Sequence, residues 1–66
     1  MKNYTVIVGN IGNVLETNSL KKAQNCFNKF VEISKIGKGS RAKDENVCIM
    51  NNKYMDIEKE YIFMQE

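Results

Sequence analysis

The amino-acid sequence predicts an α+β domain of order ββαββ, a four-stranded antiparallel sheet with one amphipathic helix packed on one face. Three features carry that expectation. The chain opens with a β-branched run that ends at a glycine-containing loop, its middle third repeats apolar residues at helical spacing, and two short apolar runs follow a charged loop. The 66 residues form at most one domain, spanning 1–66, with 42% hydrophobic and 27% charged residues and a net charge of +2. At this size folding hides only about 60% of the surface an unfolded chain exposes, so the core is small and a partner would add materially to stability.

The first run, Asn3-Tyr4-Thr5-Val6-Ile7-Val8, is rich in strand-forming types and stops at Gly9-Asn10-Ile11-Gly12-Asn13, residues that tolerate positive φ. Val14-Leu15-Glu16-Thr17 follows at once, which makes a β-hairpin. Next, Leu20, Ala23, Phe27, Phe30, Val31 and Ser34 recur at three- and four-residue steps, with Cys26 and Ile33 widening the stripe. Lys21, Lys22, Asn25, Asn28, Lys29, Glu32 and Lys35 take the opposite, solvated face. Asn18 or Ser19 can cap the start, and Gly37 stands where a left-handed terminating residue is wanted, so residues 19–36 read as one helix roughly 27 Å long. Phe27 and Phe30 are expected to be buried against the sheet.

Residues 37–45 carry two glycines, alternating charge and no large apolar residue, the marks of a surface loop. Asn46–Met50 then reads as a strand, Asn51–Lys53 as a turn and Tyr54–Ile62 as a last strand, with Met55, Ile57 and Tyr61 on one side and Asp56, Glu58 and Glu60 on the other. Antiparallel closure is natural, because each hairpin needs only a tight turn and one helix covers one sheet face.

Several function classes are excluded or made remote. There is no His and there are only two Cys, which removes the usual ligand sets of zinc and iron sites and the commonest general base, so no metal, no cofactor and no catalytic residue is expected. No charged start followed by an apolar stretch and a small-residue cleavage site is present, and no apolar run exceeds the four residues of Tyr61-Ile62-Phe63-Met64, which points to a soluble, cytoplasmic protein. In that compartment Cys26 and Cys48 are expected reduced and buried. Gly9-Asn10-Ile11-Gly12 lacks dinucleotide-loop spacing and leads into a strand, while Gly37-Lys38-Gly39-Ser40 follows a helix where a phosphate loop would precede one.

Charge is more informative than any motif. Residues 1–43 hold eight Lys or Arg against two Glu, a balance of +6, and residues 44–66 hold two Lys against six acids, a balance of −4. Lys35, Lys38, Arg41 and Lys43 gather at the helix end and in the loop beyond it, where the helix C-terminus already favours cations by about 0.3–1 kcal/mol. Such a patch is either a solvated loop or a contact for an acidic protein surface or phosphate backbone. With a single Arg and no aromatic residue interleaved, a protein contact is the stronger reading than nucleic-acid readout.

A second candidate surface comes from strand patterning. Tyr4, Val6 and Val8 alternate with Ile7, and Val47 and Ile49 alternate with Cys48 and Met50, so apolar residues fall on both sheet faces although one helix covers only one. Singly exposed apolar residues are common, but here Ile7, Cys48 and Met50 point to an interface, either of a homodimer or of a complex with a larger protein.

The succession Tyr4-x-Val6-x-Val8-Gly9-Asn10-Ile11-Gly12, then Ala23-x-x-x-Phe27-x-x-Phe30-Val31-x-x-Ser34, then Gly37-x-Gly39-Ser40-Arg41-Ala42 and two closing strands resembles short ββαββ proteins of bacteriophages and mobile elements. The resemblance covers most of the chain and implies a fold without catalytic residues. Proteins of that size and source are often counter-defence factors, anti-CRISPR proteins among them, which occlude a site on a host defence protein or ribonucleoprotein. The expectation is therefore a non-enzymatic inhibitor acting in the host-cell cytoplasm, with no membrane contact. The alternative is a small nucleic-acid-binding protein that uses the basic loop at the helix end.

Overall fold

The computed structural model describes residues 2–37 and 43–63. Its elements are β1 (Tyr4–Val8), β2 (Gly12–Thr17), α1 (Leu20–Ile36), β3 (Val47–Asn51) and β4 (Asp56–Tyr61). They form the expected α+β arrangement: a four-stranded antiparallel sheet of order β2-β1-β3-β4 with α1 lying against β1, β2 and β3. The two most apolar strands, β1 and β3, occupy the centre, where both edges are paired.

The β1–β2 turn is closed by the Ile11 N–H, which donates to the Val8 carbonyl at 3.1 Å, and Gly12 carries the reversal at φ 93°. Ser19 caps α1, its hydroxyl accepting the Lys22 N–H at 3.2 Å, while Asn18 instead uses its Oδ1 to accept the Asn3 N–H at 2.9 Å. Gly37 ends the helix differently from expectation. Its φ is −78°, so no left-handed residue is needed, and its N–H donates to the Ile33 carbonyl at 2.7 Å. Glycine is required there by proximity, because a Cβ would lie 2.6 Å from the Ile33 oxygen.

The core is Val6, Val8, Val47 and Ile49 from the sheet packed on Ala23 and Phe27 from the helix, all buried. Phe27 meets the expectation of burial, but Phe30 is only half-buried at the margin of this cluster. Ser34 is fully buried and donates its hydroxyl to the Glu45 carbonyl at 2.8 Å, tying the helix end to the approach to β3.

Two bulges decide which side chains face which way. In β2 the register shifts opposite Val6 and Ile7, so consecutive Val14 and Leu15 both pack on the core. In β4 the register skips Glu58: Tyr61 and Lys59 oppose Val47 and Ile49, whereas Ile57 opposes Met50. The alternation expected for this strand is thus corrected, because Ile57 and Tyr61 lie on opposite faces. The strand is also shorter than expected. Tyr54 and Met55 belong to the β3–β4 turn, with Met55 at φ 54°.

Candidate interaction surface

The strand registers place two rows of side chains on the face away from the helix. One row runs Glu16, Thr5, Met50, Ile57 and the next runs Asn13, Ile7, Cys48, Glu60, each from β2 across to β4. Ile7, Cys48 and Met50 are half-buried, and Ile57 is 49% exposed. Thr5 is 6% exposed, its hydroxyl accepting the Asn52 side-chain amide at 2.7 Å. An apolar band therefore crosses the open face, with carboxylates at two diagonally opposed corners. Among these eight strand positions there is no Lys or Arg.

A shallow depression of about 110 Å³ opens at one end of the band, bounded by Ile7, Gly9, Asn46, Val47, Cys48 and Glu60. Next to its Gly9 and Asn46 wall, the Glu45 carboxylate accepts the Asn10 N–H at 2.8 Å and the Asn10 side-chain amide at 2.9 Å. The Gly9 N–H donates to the Asn46 carbonyl at 2.9 Å, so the β1–β2 turn is fastened to the start of β3. A side chain at Gly9 would collide with the Glu45 carboxylate.

The opposite layer is basic. Lys21, Lys22, Lys29 and Lys35 are exposed along α1 with Glu32 as the acid among them, and Lys59 sits on the helix side of β4, its Nζ 5.2 Å from the Phe27 ring centre. The charge asymmetry that runs along the sequence becomes an asymmetry between layers: cationic on the helix, acidic at the rim of the open sheet.

The sequence-derived site residues separate accordingly. Ile7, Cys48 and Met50 come together on the open face. Lys35 is on the helix layer, its Nζ 5.6 Å from the Tyr61 ring centre, and Lys43 is half-buried and paired with Asp44 at 3.1 Å. Lys38 and Arg41 lie outside the described residues. Lys35 and Lys43 thus each have a partner within the chain, although cation–π and exposed ion pairs contribute at most about 1 kcal/mol. Sequence reasoning missed Ile57, Glu16 and Glu60 as neighbours of the apolar band, because the β4 bulge hides Ile57 from simple alternation and the pairing partners of both edge strands follow only from strand order.

Cys26 and Cys48 are free thiols, each half-buried instead of fully buried, and they sit on opposite sides of the sheet. Burial pushes the Cys48 thiol up, and the neighbouring Glu60 carboxylate pushes it further. Burial also raises Cys26, offset in part by Lys29. Both shifts keep sulfur protonated and weakly nucleophilic at neutral pH. Among the described residues no three His, Cys, Asp or Glu converge as metal ligands would, and no helix is long and apolar enough to cross a membrane. Comparison with protein-family models, with curated proteins and with solved structures finds no match to this chain.

Proposed function

We propose that the protein is a non-enzymatic binding module that acts by occlusion, covering a surface of a larger macromolecule with its open sheet face. The observation that carries this reading is the apolar band of Ile7, Cys48, Met50 and Ile57 on a sheet face that α1 does not cover. An antiparallel sheet with a solvated second face ordinarily alternates apolar and polar residues. The resemblance to short phage-borne proteins supports placing the target among bacterial defence complexes, as for anti-CRISPR inhibitors, and the site of action in the host cytoplasm. A homodimer through this face is disfavoured by charge, since a two-fold pairing brings the Glu16 and Glu60 corners against eight strand positions that hold no Lys or Arg.

The reading is tested by capture from bacterial lysate with three immobilised proteins: the parent, an open-face variant (Met50→Gln with Ile57→Asp) and a helix-face variant (Lys21→Glu with Lys22→Glu). The parent and the helix-face variant should retain the same nuclease-resistant complex, and the open-face variant should lose it at an unchanged melting temperature. Capture abolished by the helix-face variant or by nuclease would instead assign the basic layer and a nucleic-acid partner.

A further inference from the structure

We infer that the occupant of the open face is a basic amphipathic helix supplied by the partner. The inference rests on the binding-module reading above and names the chemistry of what is bound. Three features of the face select it. The band through Ile7, Cys48, Met50 and Ile57 needs an apolar stripe, and the depression beside Cys48 accepts one protruding apolar anchor. Glu16 and Glu60 stand on the two edge strands, three strand spacings apart and one row offset, which places them about 16 Å apart along the diagonal of the face. A helix rises about 1.5 Å per residue, so cations about eleven residues apart, three turns along one side, meet both carboxylates while the stripe between them covers the band.

Other occupants fit less well. An extended peptide would satisfy the free backbone of β2 or β4 at a sheet edge and leave the face open. The helix of a second copy offers lysines, but its outer face presents Gln24, Asn25 and Asn28 where apolar anchors are needed. A phosphate-bearing partner meets carboxylates at two corners and no Lys or Arg among the eight strand positions of the two rows.

The test uses amide chemical shifts of the full chain titrated with three synthetic helical peptides. One carries a leucine stripe with lysines eleven residues apart, the second replaces those lysines by glutamates, and the third retains the composition with the stripe scrambled. The lysine peptide should shift Ile7, Cys48, Met50 and Ile57 and bind about tenfold more tightly than the glutamate peptide, with the difference shrinking at high salt. The double variant Glu16→Lys with Glu60→Lys should reverse that preference, and neither exposed substitution threatens the core.

Equal binding of the lysine and glutamate peptides, or no binding by any of them, would overturn the basic-helix assignment. If the glutamate or scrambled peptide shifts the open face as well as the lysine peptide does, the docking surface stands and only the partner chemistry falls. Shifts confined to Lys21, Lys22 and Lys29 would overturn both.

Discussion

The buried hydroxyl of Ser34 donates to the Glu45 carbonyl at 2.8 Å while the Ser34 carbonyl accepts the Asp44 N–H at 3.0 Å, so one helical residue fixes both sides of the return to β3. Glu45 then passes that constraint on through its carboxylate to Asn10. The end of the helix, the approach to β3 and the β1–β2 turn are joined in one chain of contacts beside the depression of the open face.

Ser34→Ala removes the donor without adding bulk at this buried position and leaves the Glu45 carbonyl unsatisfied. A loss of about 1–3 kcal/mol in urea denaturation is expected. A variant within 0.3 kcal/mol of the parent, a margin of roughly half of RT, would show that water replaces the hydroxyl.

Gly9 and Glu45 should be energetically coupled. Gly9→Ala forces the Glu45 carboxylate away from Asn10, at a cost of about 1 kcal/mol, whereas the same change in a Glu45→Ala background has nothing left to displace. A double-mutant cycle should therefore be clearly non-additive. Simple additivity would place the glycine requirement elsewhere in the turn.

Much of this architecture is legible in the sequence, and the failures have identifiable causes. The periodic stripe from Leu20 to Ser34 and the alternation in β1 and β3 report tertiary burial directly, which is why element order, helix bounds and the open-face trio Ile7, Cys48 and Met50 follow from pattern alone. Periodicity cannot register the extra residues at Val14 and Glu58, and each bulge moves its neighbours to a different face. The nine asparagines look like compositional bias, yet the side chains of Asn10, Asn18, Asn46, Asn51 and Asn52 accept or donate hydrogen bonds that fasten turns and strand ends. Asn51 accepts from Lys53 and Tyr54 close by in a turn, but the partners of Asn10, Asn18, Asn46 and Asn52 are up to 50 residues away, and nothing local announces those.

Phe27 and Phe30 should differ in cost. Phe27→Ala empties the centre of the helix–sheet core and is expected to lose about 3–5 kcal/mol, comparable to the whole stability of a small domain. Half-buried Phe30→Ala should lose roughly half as much. Thermal melts of equal midpoint for the two variants would contradict the packing described for α1.

Met55 holds a left-handed conformation with its side chain 79% exposed. Replacing it by Gly or Asn removes backbone strain without losing packing, so denaturation should show a gain of about 0.5–1 kcal/mol. A loss in both variants would mean that the methionine side chain is itself a contact.

Cys48 should alkylate slowly at neutral pH, and Glu60→Gln should speed the reaction by lowering the thiol's pKa. Because the folded-state pKa is raised, the folded protein holds its proton over a range where the unfolded chain releases it. The contribution of this thiol to stability is therefore fully present below the ordinary thiol range and is lost as pH rises above about 8.5. A rate insensitive to Glu60→Gln would separate the two groups electrostatically.

Whether the protein works through its open sheet face is decided by iodoacetamide labelling of the two thiols in the free protein and in the complex captured from lysate, resolved by mass spectrometry. Cys48 lies on the open face and Cys26 on the helix side, so each molecule carries its own control. The expected result is strong protection of Cys48 on binding with the Cys26 rate unchanged. Protection of Cys26 alone, or of neither thiol in a saturated complex, would contradict it.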